Sequence, residues 1–172
     1  MSIRPETDEY PALAEQYVRL VPEGSLKIIL QNQHDITRLL LGGLTEEQAA
    51  FKYAEGKWSL KTVVGHIVDV ERLWNYRILR IARGDVRELP GYDRDIFALE
   101  APFEDLPFIE VLKDYSAVRQ SSITLINHLS ESIMLRRGEF QNHPLSARAA
   151  AFIIAGHETH HMNVIKARYL LP

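Results

Sequence analysis

Four long stretches of the chain repeat their apolar residues at three- and four-residue steps, whereas none sustains the every-second-residue alternation of a half-buried strand. Such spacing places the apolar side chains on one face of a helix, which must then pack against another element. The pattern therefore predicts an all-α protein. The first long helix is expected at about residues 25–41, where Gly42 and Gly43 follow it, and a short helix capped by Thr45 is expected at about residues 44–48.

The second long helix has the clearest beginning. Ser59 is a suitable N-cap, and Trp58 before it can pack on Val63 inside the first turns. The apolar stripe of this helix continues to the neighbourhood of Gly84. Residues 85–104 then form a long connection, and a connection of that length within a compact domain often carries function.

A polar connection is expected between the third and fourth long helices. The third helix is predicted from about residue 105 to about residue 129, with Pro107 in its first turn. Residues 136–142 are polar and are interpreted as a connection. The fourth helix is expected to begin near Pro144 or Ser146 and to continue almost to the end of the chain.

These elements predict a single domain over residues 1–172. Four amphipathic helices of this length favour an up-down-type four-helix bundle with long connections, and ligand sites in such bundles lie between facing helices. The N-terminal stretch, residues 1–24, is expected to pack on the bundle as an extension.

Composition excludes several classes of function. The net charge of -3 and the pI of about 6.2 provide no basic surface of the kind that binds nucleic acid. The lack of cysteine excludes disulfides, thiolate ligands and a cysteine nucleophile. The N-terminal residues are acidic where a signal peptide needs an apolar stretch, and the longest apolar run, residues 147–156, is too short to span a bilayer. We therefore expect a cytoplasmic protein with neither nucleic-acid nor membrane partners.

A histidine pair at metal-ligand spacing lies near the end of the sequence. His157 and His161 share one helix face, and with Glu158 between them they match the H-E-x-x-H motif of zinc proteases. A protease of that class takes its third ligand from residues downstream. Residues 162–172 contain no histidine, aspartate or glutamate, so a third ligand has to come from upstream, which argues against an ordinary zinc protease.

His66 is the upstream candidate. It lies in the second helix, beside the apolar stripe that contains Val63, Ile67 and Val70. A lone histidine at such a position is most often a core residue that is hydrogen-bonded to a carbonyl. Facing helices of a bundle can also bring one imidazole next to an i,i+4 pair, and such a site leaves positions for water or substrate.

The neighbouring residues leave alternatives open. His160 flanks the histidine pair and is either a pocket residue or an exposed one. Glu158 is rotated by about 100° from His157 on the helix, and it either acts through a metal-bound water or is an exposed helix carboxylate. The remaining histidines have no partner at ligand spacing, and structural or surface roles are favoured for them: His34, His128 and His143.

Five features follow one another in a characteristic order. They are Gly-Lys-Trp-Ser at residues 56–59, Val-Gly-His-Ile-Val-Asp at 64–69, Leu-Pro-Gly-Tyr-Asp at 89–93, Arg119, and Gly-His-Glu-Thr-His-His at 156–161. In this order and spacing they resemble the DinB/YfiT-like superfamily of proposed metalloenzymes, which is unrelated to the DNA polymerase sharing the DinB name. The resemblance extends over about residues 25–170.

The resemblance implies a four-helix bundle that binds one divalent metal ion. The ligands that it selects are His66, His157 and His161, and nickel or zinc is the expected ion, with iron or manganese as alternatives. It also implies a homodimer and a small-molecule substrate. Characterised relatives include thiol-dependent enzymes, such as bacillithiol S-transferases and a mycothiol-dependent isomerase.

Two reactions suit such a site. The metal ion either activates water, which makes a hydrolase, or activates a low-molecular-weight thiol of the bacillithiol type, which makes an S-transferase. Because the chain has no cysteine, the thiol would have to arrive as a cosubstrate. A non-catalytic, metal-stabilised binding or stress-response protein is the alternative from another class.

Three further residues are candidates for the pocket: Tyr92, Asp93 and Arg119. Tyr92 could donate a hydrogen bond to a substrate, and Arg119 could hold a carboxylate of the thiol cosubstrate. Against this, Tyr92 could simply anchor its loop, and Arg119 could pair with Asp69 or Glu71 across the bundle. The structural interpretation is favoured for both.

Overall fold

The computed structural model describes residues 4–85 and 87–170. Its four long helices are α2 (Leu26–Leu41), α4 (Leu60–Ala82), α6 (Phe108–Asn127) and α8 (Ala147–Arg168). Short helices lie between and before them: α1 (Glu15–Val18), α3 (Glu46–Ala50), α5 (Arg94–Glu100), α7 (Glu131–Met134), and 3-10 turns at Thr7–Glu9, Ala12–Ala14 and Pro102–Glu104. The predicted four-helix bundle is confirmed. Within the described ranges, no helix combines the length and the apolar character that are needed to cross a bilayer.

Side-chain caps start the helices where the sequence predicts them. The Ser59 hydroxyl accepts the Thr62 N–H at 3.1 Å, and Thr45 forms a capping box with Gln48 at the start of α3. The Ser146 hydroxyl accepts the Ala149 N–H at 2.9 Å, which places the start of α8 at the later of the two predicted positions. These bonds satisfy backbone donors that a helix leaves free in its first turn.

The third long helix begins later than predicted. Pro107 is its N-cap with an extended backbone, rather than a member of its first turn, and α6 ends at Asn127. The Glu46 carboxylate, which belongs to α3, accepts the Phe108 N–H at 2.7 Å. This long-range cap fixes the start of α6 and cannot be recognised from local sequence.

A β-hairpin, which the sequence did not predict, occupies most of the polar connection expected at residues 136–142. Strands β1 (Arg137–Phe140) and β2 (His143–Ser146) pair antiparallel, with Phe140 opposite His143. Gln141 and Asn142 have φ of 51° and 60°, as a two-residue hairpin turn of the I′ type requires. The connection after α4 joins this hairpin through Leu89, whose N–H donates to the Glu139 carbonyl at 2.8 Å.

Two apolar clusters share the long helices. The first joins the N-terminal segment, the second half of α4, the hairpin and the first half of α8. The second joins α3, the first half of α4, most of α6 and the end of α8. Where the helices pass from one cluster to the other, they carry buried or half-buried polar residues, which we call the polar layer: Gln33 and Thr37 on α2, His66 and Glu71 on α4, Arg119 and Ser122 on α6, and His157 and Glu158 on α8.

The N-terminal segment, residues 4–21, packs along α8. Gly156 makes this approach possible, since a Cβ there would lie 2.0 Å from the Tyr17 carbonyl oxygen. An ion pair between Glu9 and Arg148 fastens the segment, and the Ser146 hydroxyl donates to the same Glu9 carboxylate at 2.6 Å. Although burial pushes its pKa upward, these partners hold the pKa of Glu9 at about 2.

Candidate metal centre

Three histidines from two facing helices lie together, and two of them, His66 and His157, belong to the polar layer. One ring nitrogen each of His66, His157 and His161 lies within 4.8 Å of the others. The Nε2 atoms of His157 and His161 are 3.1 Å apart, and the His66 ring centroid lies 4.9 Å from that of His161. Within residues 4–85 and 87–170, this is the one cluster of three or more His, Asp or Glu side chains with such spacing.

Aromatic rings pack against two of the three imidazoles, those of His66 and His157. Trp58, directly before the N-cap of α4, packs on His66 with ring centroids 5.0 Å apart. Tyr17 reaches the site from the N-terminal segment and makes edge contacts with His157 at 5.3 Å and with His160 at 5.6 Å. The site is therefore enclosed by a segment that lies outside the four-helix bundle itself.

Burial keeps the three imidazoles uncharged. Loss of solvation lowers the pKa of His66 to about 4, with a further contribution from the positive charge of Arg94. The pKa of His161 falls to about 3 by burial and by the neighbouring His66, and burial also places the pKa of His157 well below its ordinary value. Neutral imidazoles have free lone pairs, so the donor set suits a borderline divalent cation such as zinc or nickel.

Two cavities meet at the histidines. The first has a volume of about 270 Å³ and extends from the three imidazoles to the indole of Trp74 and the guanidinium of Arg77. The second has a volume of about 320 Å³ and lies on the side of Trp58. Three residues line both of them: Arg94, His160 and His161.

Of the candidate pocket residues, Tyr92 and His160 lie at the first cavity and Asp93 does not. Tyr92 and His160 line the first cavity, and Tyr92 also packs against Phe97 with ring centroids 4.9 Å apart. Burial raises the pKa of Tyr92. Asp93 is exposed and is not among the cavity-lining residues; its Oδ1 accepts the N–H groups of Asp95 and Ile96 at 2.9 and 3.0 Å. Asp93 is therefore the N-cap of α5.

Glu158 belongs to a different site from its neighbour His157. It is 1% exposed, so the interpretation as an exposed carboxylate is wrong. Its Oε1 accepts the hydroxyl groups of Thr37 and Tyr115, each at 2.7 Å, and it forms an ion pair with Arg119. The rotation of about 100° per residue turns Glu158 toward α2 and α6, away from the three histidines, so a role through a metal-bound water has no geometric support.

Arg119 is a structural cation, and its partner is Glu71 rather than Asp69. The Nε and Nη2 atoms donate to the two carboxylate oxygens of Glu71 at 2.9 and 2.7 Å, and Nη1 donates to Gln33 at 3.1 Å. Burial alone would lower the pKa of Arg119, but Glu158 and Glu71 raise it. Because its donors are committed to protein groups and it does not line either cavity at the histidines, Arg119 cannot hold a cosubstrate carboxylate there.

The other three histidines lie apart from the cluster. His34 stacks on Tyr115 with ring centroids 6.0 Å apart, and its Nδ1 lies 3.0 Å from the Asp35 carboxylate. His128 is the exposed C-cap residue of α6, and His143 is exposed in β2. The structural or surface roles predicted for them agree with these positions.

Sequence reasoning missed three residues of the site: Tyr17, Arg77 and Arg94. Tyr17 and Arg94 reach the histidines from segments whose placement depends on tertiary packing. Arg77 did leave a signal, because it continues the helical stripe of His66, Val70 and Trp74 at four-, four- and three-residue steps.

Comparisons with known proteins agree with this architecture. The sequence model of the DinB superfamily matches residues 29–165. A protein of Oceanobacillus iheyensis named "Putative metal-dependent hydrolase OB0413" is 27% identical over 128 residues, which is 73% of this chain and 73% of that protein. YfiT from Bacillus subtilis, described as a probable metal-dependent hydrolase with an unusual four-helix bundle topology, superposes with a TM-score of 0.76 at 14% identity, covering 96% of this chain and 91% of that one. The DinB-like protein YjoA from Bacillus subtilis superposes with a TM-score of 0.60 at 16% identity, covering 84% and 88%.

Proposed function

Because the chain belongs to the DinB superfamily, we propose that it is a metal-dependent hydrolase that binds one divalent cation. The observation that carries the proposal is the meeting of His66, His157 and His161, whose ring nitrogens lie within 4.8 Å of one another. The named hydrolase relative supports the reaction class. We propose nickel or zinc as the ion, with iron or manganese as alternatives, since nitrogen ligands accept several divalent metals.

The residues around the three histidines have distinct tasks in this proposal. A bound cation would supply a Lewis acid that polarises water or a thiol. His160 lies beside His161, with ring centroids 4.9 Å apart, and lines both cavities, so it is placed to accept a proton from the attacking group. Tyr17 and Trp58 orient the imidazoles, and the apolar wall of the first cavity limits the access of bulk water.

An S-transferase is the second candidate, and the two cavities favour it. A hydrolase holds one organic substrate, whereas a transferase holds two. Here two cavities meet at Arg94, His160 and His161. A low-molecular-weight thiol in one and an electrophile in the other would meet beside the three imidazoles. The chain has no thiol of its own to take the place of the cosubstrate.

Two assays on untagged protein separate these functions. Metal content is measured first, in wild type and in His66→Ala, with His143→Ala as the control. The metal-loaded protein is then tested on carboxylic esters and amides, and separately on thiols paired with electrophiles. Turnover of esters that needs the metal supports the hydrolase, and turnover that needs an added thiol supports the transferase. Full metal loading without turnover on either panel would favour the non-catalytic alternative.

We also propose that the protein is a homodimer formed through α2. One face of this helix exposes three aliphatic side chains, Ile28, Ile36 and Leu39, the last of them 86% exposed. Large aliphatic groups gathered on one helix face commonly mark an interface. Sedimentation of the wild type should show a dimer at micromolar concentration and Leu39→Lys should shift it toward monomer, whereas a wild-type monomer would contradict the proposal.

A further inference from the structure

Arg77 lies at the far end of the cavity that begins at the histidines. His66, Val70, Trp74 and Arg77 follow one another along one face of α4, and all four line the first cavity. His66 and Arg77 are separated along the helix axis by a distance on the order of 16 Å. The side chain of Arg77 is 2% exposed, so its charge is buried.

The guanidinium of Arg77 has contacts that fix its position, but no carboxylate among the described residues neutralises its charge. Its carbon lies 4.5 Å from the ring centroid of Trp74 and 4.3 Å from that of Phe140, and Nη2 donates to the Pro90 carbonyl at 3.0 Å. Nη1 is buried and has no hydrogen-bond acceptor among the described residues. Burial lowers the pKa of Arg77 only to about 10, so the group remains charged at neutral pH.

The other two buried arginines of the described chain are paired with carboxylates. Arg119 faces Glu71 and Glu158, and Arg148 faces Glu9. An unpaired donor in the interior destabilises the folded protein, and it does so more when it is charged. Within the described chain, Arg77 is the buried arginine without a carboxylate partner, and it is one of the residues that line the cavity.

We propose that Arg77 binds a carboxylate of the substrate, so that the site takes small organic acids with an apolar body. The proposal rests on the function proposed above and specifies its substrate class. The cavity is also lined by apolar groups that suit such a body, among them Leu13, Val70 and Ile153. The neighbouring rings of Trp74 and Phe140 fix the position of the guanidinium, and its planar fork of donors matches a planar carboxylate.

Binding is tested on the metal-free protein, so that an acid cannot bind through a cation. The probes are carboxylic acids from acetate to 4-phenylbutyrate, each paired with its neutral amide, and inorganic phosphate. Trp58→Phe leaves Trp74 as the single tryptophan, and its fluorescence reports binding beside Arg77. The variants are Arg77→Met and Arg77→Lys, and Arg83→Met, which removes an exposed charge at the C-cap of the same helix, is the matched control.

The wild type and Arg83→Met should bind at least one acid about tenfold more tightly than its amide. Arg77→Met should lose this preference and keep its affinity for the amide, while Arg77→Lys should keep part of it. Arg77→Met should also melt no lower than about 2 °C below the wild type, because it removes an unpaired buried charge. The absence of any acid preference in the wild type, its persistence in Arg77→Met, or tighter binding of phosphate than of every acid would overturn the proposal.

The outcome is independent of the metal. If Arg77 selects acids while His66→Ala retains full metal content, the proposed metal site fails and the acid site stands. If His66→Ala loses the metal while the wild type does not distinguish acids from amides, the metal site stands and the acid site fails.

Discussion

His157 and Glu158 are neighbours in α8, but they belong to two polar regions of opposite character. Around Glu158, the carboxylates of Glu71 and Glu158 are matched by Arg119 and by the hydroxyl groups of Thr37 and Tyr115. Around His157, three neutral imidazoles turn their nitrogens toward one another beside a cavity. In the first region the protein itself supplies partners for both buried carboxylates, whereas the second offers groups that a ligand would complete.

This difference separates stability from binding within one layer of the bundle. Buried polar groups that satisfy one another fix how the helices pack, and removing one of them leaves the others uncompensated. Groups left open toward a cavity add little to the fold and are available to a ligand. The H-E-x-x-H pattern therefore divides here, with its histidines in one region and its glutamate in the other.

The largest expected effect is the loss of stability in Arg119→Met. This change leaves Glu71 and Glu158 buried without their cation, which should lower the free energy of unfolding by about 3–5 kcal/mol. Urea denaturation followed by circular dichroism measures it. Arg77→Met is the matched control and should lose less than about 1 kcal/mol. Equal losses in the two variants would contradict the interpretation of Arg119 as a structural cation and of Arg77 as a charge without a partner in the fold.

An intermediate effect is expected from Gly156→Ala. The added Cβ would meet the Tyr17 carbonyl oxygen at 2.0 Å, so the N-terminal segment has to move away from α8. Overpacking of this kind typically costs about 1–3 kcal/mol. Limited proteolysis should cut residues 4–21 faster than in the wild type. Gly43→Ala, where a Cβ meets nothing within 4 Å, should match the wild type in its rate of proteolysis. Unchanged proteolysis in Gly156→Ala would mean that the segment does not close the histidine region.

A smaller effect is expected from the ion pair between Glu9 and Arg148, which holds the N-terminal segment against α8. The pKa of Glu9 is lowered from 4.5 to about 2, so the folded state holds the carboxylate ionised more strongly than the unfolded chain does. This contribution is complete above pH 4.5 and is lost as the pH falls toward 2. Between these values the wild type should lose more melting temperature than Glu9→Gln. Parallel melting curves for the two proteins would show that Glu9 contributes nothing.

The sequence predicted the cluster of three histidines better than it predicted the region around Glu158. The i,i+4 spacing predicts that His157 and His161 share one helix face, and the family resemblance selects His66 among the remaining histidines. The caps Ser59 and Ser146 were recognisable because an N-cap bond is local. For Glu158, the helical wheel indicates the direction of the side chain but not what α2 and α6 present to it. Its partners are separated from it by long stretches of chain.

The remaining errors also have physical causes. The hairpin escaped detection because its strands have four residues each and its turn, Gln141-Asn142, lacks the glycine that usually marks such a turn. The late start of α6 depends on Glu46, which is distant in sequence from Phe108. Tyr17 enters the site only because Gly156 admits the N-terminal segment, and that is a tertiary contact without a local pattern.

The central claim is that His66 joins His157 and His161 in one metal site. Its most direct test compares the metal content and the metal-dependent melting temperature of untagged His66→Ala with those of His128→Ala, whose histidine is exposed at the end of α6. His128→Ala should bind the metal and melt at a higher temperature in its presence, as the wild type does, because a ligand that binds only the folded state stabilises it. His66→Ala should lose both properties. Full-affinity metal in His66→Ala would contradict the three-histidine site.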